Sequence, residues 1–316
     1  MPTYSNLDLV KQCDRFPYPQ EEPEAYAQKV AGYYKFHVES CDSVLGFILP
    51  ATVKELQWPD VWKVDHDRKT VLLRGRTREE RDENVATTLA AERERAHFKI
   101  LSGWRNELYP VYGPDRSILV NIERAASVLF GIVTYGIHMT GYVKTDDGLK
   151  IWVPRRAKNK QTYPGMLDNT VGGGIASGET PFETIVREAS EEASLPGEYV
   201  VKNAKSCGTI SYFDIRDERV APGGEVGLLQ PECMYVYDLE VPADFVPRPD
   251  DMEAEDFRLL SIPEVQAAMA NGEFKTNCAL MLLDFFIRHG IVTPEGEKDY
   301  IEIVSRLHRK LEFPGA

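Results

Sequence analysis

Gly172-Gly173-Gly174-Ile175-Ala176-Ser177-Gly178-Glu179-Thr180-Pro181-Phe182-Glu183-Thr184-Ile185-Val186-Arg187-Glu188-Ala189-Ser190-Glu191-Glu192-Ala193-Ser194-Leu195 is the stretch on which the fold turns. Thr180-Pro181-Phe182-Glu183 is a capping box, with Thr180 at the N-cap, Pro at the first helical position and Glu three residues on. Phe182, Ile185, Val186, Ala189 and Ala193 then form an apolar stripe along the helix, so that face predicts burial against a sheet. On the opposite side Glu188, Glu191 and Glu192 project within an arc of about 80–100°. Three carboxylates so close repel one another unless a positive charge sits between them. Hard divalent cations such as Mg²⁺ or Mn²⁺, which take oxygen ligands, suit that position. Arg187 stands one turn before Glu191 and next to Glu188, where it can orient a carboxylate. The glycines at 172, 173 and 174 let backbone approach the charged face closely.

The pattern Gly173-x5-Glu179-x7-Arg187-Glu188-x2-Glu191-Glu192-x-Ser194 resembles the box of the Nudix hydrolases at every fixed position but one. Such a match arises by chance in on the order of one in ten thousand chains of this length, so a merely glutamate-rich surface helix is a poor account. The departure is Ser194, where the family has Gly. That Gly serves a left-handed turn after the helix, and a Ser there should cost roughly 1 kcal/mol if the turn is kept.

At 316 residues the chain has room for two domains, and its 43% hydrophobic content supplies ordinary cores. No apolar run approaches the roughly 20 residues of a membrane span. The first residues are neither a secretory signal nor an Arg-rich transit peptide. A net charge of −13 argues against a nucleic-acid backbone as main partner. Five cysteines, widely spaced and with no Cys-x-x-Cys pair, suit reduced thiols and predict a cytoplasmic protein.

Residues 1–125 read as a helix-rich α+β module. It comprises an amphipathic helix over 6–15, helical spacing over 24–39, a hairpin over 62–73 and a charged helix from Thr77 to about His97. From Ser127 the pattern turns strand-rich, with strands over 128–142, 150–155, 205–214, 233–241 and 257–261. Helices are expected over 263–269, 277–289 and 298–311. This order fits an α/β/α sandwich with a mixed sheet over 126–316, its core at about 127–270.

Within 127–316 the chain resembles one Nudix subfamily, related to the hydrolase portion of fungal thiamin pyrophosphokinases. The segments that carry this are Arg155-Arg156, Pro164-Gly165-Met166-Leu167-Asp168-Asn169, Gly227-Leu228-Leu229-Gln230-Pro231-Glu232 and, most distinctively, Phe274-Lys275-Thr276-Asn277-Cys278-Ala279-Leu280 with Ile287-Arg288-His289-Gly290. Residues 1–125 look like the accessory domain that precedes this unit. The resemblance implies Mg²⁺- or Mn²⁺-dependent hydrolysis of a diphosphate linked to an organic moiety. The expected substrate is oxidised or damaged thiamin diphosphate, giving the monophosphate and phosphate. The alternatives are a pyrophosphatase of nucleoside-diphosphate derivatives such as ADP-ribose or a dinucleotide, and a silent ligand-binding module. The expected metal ligands are Glu188, Glu191 and Glu192, with Arg187 orienting them and Glu179 near the metals or paired to Arg187.

Substrate contacts are expected from Arg155 and Arg156, which either clamp phosphate oxygens or lie solvated in a loop. Glu253 and Glu255 are either an extra carboxylate or part of a solvated acidic loop. Gln230 and Glu232 could hydrogen-bond a heteroaromatic ring. His138 reads as a satisfied core histidine. Apolar and aromatic surface from 24–62 is the expected grip on the organic moiety.

Overall fold

The computed structural model describes residues 3–160, 162–220, 223–249 and 254–316. The first unit holds α2 after a short opening helix: α1 spans Asn6–Cys13 and α2 Pro23–Ala31. Then follow β1 (Tyr34–Val38), β2 (Cys41–Ile48), α3 (Pro50–Glu55), β3 (Trp62–Asp65), β4 (Thr70–Leu73), α4 (Arg78–Arg95), β5 (Leu108–Tyr112), β6 (Ile118–Glu123) and α5 (Ser127–Phe130). β1 to β4 make a sheet of order β2-β1-β4-β3, and β5 pairs with β6. Their core gathers Phe36, Ile48, Trp62, Val71, Leu89, Ile122 and Phe130. Trp62 is buried there, and its indole N–H donates to Thr88 Oγ1 at 2.9 Å.

Two local expectations change. The helical spacing over 24–39 is helix only to Ala31; after Gly32 the chain becomes β1, which pairs in parallel with β4. Helix and strand both accommodate Tyr33, Tyr34, Phe36 and Val38, and the partner strand decides between them. Residues 127–130 are a helical turn rather than strand, closed by Gly131 at φ 58°. A Cβ there would collide with the Phe47 carbonyl, so the close approach of β2 requires the glycine.

The second unit continues with β7 (Thr134–Thr145), β8 (Gly148–Arg156), β9 (Val171–Gly174), α6 (Pro181–Ala193), α7 (Gly197–Asn203), β10 (Lys205–Ile215), β11 (Leu229–Glu240), β12 (Ala254–Ser261), α8 (Ile262–Ala270), α9 (Thr276–Arg288) and α10 (Tyr300–Leu307). Its sheet runs β10-β11-β7-β8-β12, with β9 also on β7. β7 is parallel to β11 and antiparallel to β8 and β9, so the sheet is mixed. Alternation along β7 sorts its side chains: Ile137, Met139 and Val143 face α6 and α7, whereas Tyr142 faces α9. The result is the α/β/α sandwich expected from the element order. α1, first in the chain, does not pack with its sequence neighbours. Its Leu9, Val10 and Cys13 enter the core beneath α8, α9 and α10.

Candidate active site

The capping box forms as read. Thr180 Oγ1 accepts from the Glu183 N–H at 3.3 Å, and the Glu183 carboxylate accepts from the Thr180 N–H at 3.0 Å. The helix ends at Ser194, in the left-handed region at φ 53° and ψ 28°. Ser194 therefore keeps the turn that a glycine would make more cheaply. With the ends held, Ile185, Ala189 and Ala193 are buried against the sheet and the carboxylates point the other way.

Arg187 organises that outer face. Its Nε and Nη2 grip both oxygens of Glu179 at 3.2 and 3.1 Å, while Nη1 donates to Glu188 and Glu191, each at 3.0 Å. Glu192 Oε2 accepts the Gly172 N–H at 2.9 Å, which ties helix to glycine strand. A Cβ on Gly173 would run into the Glu188 carboxylate, and one on Gly174 into the Tyr109 hydroxyl. Glu188 is more enclosed than Glu191, and burial pushes its carboxyl up to about 7 despite Arg187. An all-oxygen donor set, a carboxyl enclosed enough to resist ionisation and a backbone cradle a Cβ would fill together fit a hard divalent cation.

These groups face a cavity of about 720 Å³ between the two units. Arg187, Glu188, Glu191, Glu192 and Gly172 to Gly174 border it, as do Arg156, Gln230 and Glu232. Glu232 is enclosed: Tyr212 donates to one of its oxygens and Thr134 to the other, and burial pushes its carboxyl up. Arg156 binds Asp168 at 2.5 Å and the Thr162 carbonyl at 3.0 Å. Arg155 is not among the cavity residues; its guanidinium braces the Gly165 carbonyl at 2.8 Å. Glu179 stands behind Arg187, outside the cavity wall. Glu255 is exposed on β12 and away from the cavity, and Glu253 lies outside the described residues. The alternation along β12 sends Glu255 to solvent.

Sequence reasoning missed the cations that complete the cavity. Lys275 borders it from just before α9, in the segment that carried the subfamily resemblance, and Arg105 and Arg124 border it from the first unit. Arg124 binds Glu107 at 2.8 Å. Among the described residues, none from 24–62 borders the cavity. The first unit contributes instead through 99–109 and 124–128, because the aromatics of 33–62 are consumed by the cores of the two units.

His138, Asp168 and Cys278 also come together, with potential ligand atoms within 4.8 Å of one another. Burial and the nearby Lys275 push the His138 imidazole down to about 3, so it stays neutral. Despite the burial cost, Lys275 and Arg156 hold the Asp168 carboxyl well below its usual range. Asp168 also accepts from the Asn169 N–H at 2.9 Å. With two cations already compensating one carboxylate, a third positive charge would meet repulsion.

Residues 138–279 match the NUDIX domain family, and residues 7–134 match a domain of unknown function, DUF4743. The chain is 35% identical over 324 residues to the uncharacterized protein YJR142W of Saccharomyces cerevisiae, covering 98% of this chain and 92% of that protein. It is 37% identical over 213 residues to Nudix hydrolase 20, chloroplastic, and 38% over 210 residues to Nudix hydrolase 24, chloroplastic, both of Arabidopsis thaliana. These matches cover 67% and 66% of this chain, which spans 54% of the length of each Arabidopsis relative. The crystal structure of DR0079 from Deinococcus radiodurans overlaps 56% of this chain and 97% of its own, at 23% identity and a TM-score of 0.41. Among the described residues no helix is long and apolar enough to cross a membrane. Nudix enzymes depend on divalent metal ions, in keeping with the oxygen donors gathered on α6. Residues 138–279 are therefore a NUDIX domain, and with its Nudix hydrolase relatives the protein is a hydrolase that acts on pyrophosphate bonds.

Proposed function

We propose that the cavity hydrolyses a diphosphate joined to an organic ring system, releasing the monophosphate and phosphate, and that oxidised or otherwise damaged thiamin diphosphate is the substrate. The observation that carries this reading is that Lys275, Thr276 and Asn277, from the segment resembling the thiamin-related subfamily, border the same cavity as the α6 carboxylates. The cavity, at about 720 Å³, suits a ligand of that size.

Glu188, Glu191 and Glu192 would hold Mg²⁺ or Mn²⁺. Bound there, such an ion supplies charge neutralisation at the diphosphate and lowers the pKa of water. Arg187 bridges Glu188 and Glu191 through Nη1 and holds both in place, and the Gly172 N–H fixes Glu192. Arg156 and Lys275 supply positive charge for phosphate oxygens. Gln230 and Glu232 present hydrogen-bonding groups for the ring. We place this activity in the cytoplasm, a reading supported by five unpaired cysteines.

The deciding experiment is product analysis with the full chain, with and without Mg²⁺, on thiamin diphosphate, its oxidised analogues and ADP-ribose. Metal-dependent release of phosphate from the oxidised compounds is expected. AMP from ADP-ribose with no turnover of thiamin-type compounds would replace this reading.

A further inference from the structure

Arg216 borders the cavity and is only 7% exposed. Among the described residues its Nε has no hydrogen-bond partner and no carboxylate pairs with its guanidinium. The other enclosed arginines of the cavity wall are matched, Arg124 with Glu107 at 2.8 Å and Arg156 with Asp168 at 2.5 Å. The acid that acts on Arg216 through space, Glu225, directs its carboxylate to the Ile100 N–H at 3.2 Å instead. A buried guanidinium without a partner is costly, and a cavity wall is where such a group persists for a ligand.

The position of Arg216 is set by backbone. Its N–H donates to the Leu228 carbonyl at 2.8 Å, and its own carbonyl accepts from the Gly227 N–H at 2.7 Å. It therefore extends the β10–β11 ladder by one step. From β10 to β9, where the glycines meet α6, the path crosses β11 and β7. Three strand spacings are roughly 14 Å, so Arg216 and the carboxylate helix lie at opposite ends of the cavity. The groups that influence Arg216 electrostatically, Glu225 and Tyr163, include none from α6. Lys99 of the first unit lies against Gly223 in the same loop, so both units close this end.

We propose that Arg216 anchors a second subsite, which binds an oxygen acceptor on the organic part of the substrate, a ring carbonyl or an ionised acid. It thereby selects against diphosphates whose organic part is cationic. The subsite rests on the proposed diphosphatase reading and deepens it. A diphosphate held by α6 reaches Arg216 only with its far end, so Arg216 is a specificity-determining residue and takes no part in bond cleavage.

The test compares thiamin diphosphate, whose thiazolium is cationic, with its 2-oxo derivative, whose ring is neutral and carries a carbonyl. Binding is titrated to the full chain without Mg²⁺, so that no turnover is needed. The parent chain is expected to bind the oxo compound at least about 10-fold tighter, and Arg216→Met to bring the two affinities to within about 3-fold. Arg216→Lys should keep part of the preference. Equal affinities in the parent chain, or a preference that survives in Arg216→Met, overturns the assignment. Arg216→Met should melt no lower than the parent, because it removes a buried charge that forms no ion pair among the described residues. A large drop in melting temperature would make Arg216 a structural residue instead. Hydrolysis with Mg²⁺ is scored separately: no turnover of either compound removes the diphosphatase reading, whereas the binding ratio alone decides about Arg216.

Discussion

At the residue scale, Glu188 holds a carboxyl that burial pushes to about 7 from an ordinary value of 4.5. A folded value above the unfolded one means the group's contribution is fully present below pH 4.5 and is lost as pH rises through 7. Metal-free protein should therefore lose up to about 3 kcal/mol from this group between pH 4.5 and 7. Asp214, raised to about 6 by burial even with Arg15 beside it, acts in the same direction between pH 3.8 and 6. A divalent cation favours the ionised form and should flatten the profile by binding the folded state. Melting temperature against pH, in chelator and in saturating Mg²⁺, checks this; superimposable curves would remove the cation from this face. Glu191→Gln and Glu192→Gln should each lower turnover by at least about 100-fold, since each loses a hard oxygen ligand. Glu183→Gln, whose side chain only caps Thr180, should be nearly silent. Equal turnover in all three variants would end the assignment of this helix face.

At the element scale, α6 ends on a non-glycine residue in the left-handed region. That backbone costs a Ser roughly 1 kcal/mol, partly offset by its hydroxyl, which donates to the Arg248 carbonyl at 3.0 Å. Ser194→Gly should therefore raise stability by at most about 1 kcal/mol and leave kcat/KM unchanged, as read by denaturant titration beside a phosphate-release assay. A clear loss of stability would show that the bond to Arg248 holds the turn. Phe182, expected in the apolar stripe of α6, is exposed. The capping box and the Ile185, Ala189 and Ala193 stripe were legible because both are local: they need only the spacing of residues along one helix. β1 was not, because Tyr34, Phe36 and Val38 suit helix or strand, and their pairing with β2 and β4 is remote in sequence.

At the scale of the whole molecule, the two ends of the chain are tied together in the second unit. Arg309 is fully buried, binds Asp14 at 3.0 Å and Glu312 at 2.6 Å, and lies over the rings of Phe16, Tyr18 and Phe213. Removing Arg309 leaves the buried Asp14 with the more distant Arg306, at 3.6 Å, to offset its charge. Arg309→Met should therefore destabilise by about 3–5 kcal/mol, with much of the loss restored by adding Asp14→Asn. Chemical denaturation of the single and double variants measures this; additive losses would mean that Asp14 and Arg309 are independent. The burial of α1 carries a related consequence. A fragment of residues 126–316 lacks Leu9, Val10 and Cys13 from beneath α9, and should be markedly less stable than a fragment to which residues 3–16 are restored in trans. A fragment that melts like the full chain would show that α1 is dispensable.

What the sequence determined by itself was whatever depends on short spacing: the capped helix, the carboxylates on one face of it, the arginine among them and the glycine strand before it. Gln230 and Glu232 were within reach because a family-like segment named them. The cavity wall was decided only by the tertiary structure. Arg105, Arg124, Arg216 and Lys275 come from positions spread over 171 residues, and no local pattern marks a cation as facing a cavity rather than solvent. The same holds for Arg155 and Arg156. They are neighbours in sequence, yet one braces a loop and the other borders the cavity, because successive side chains at a strand's end point to opposite sides.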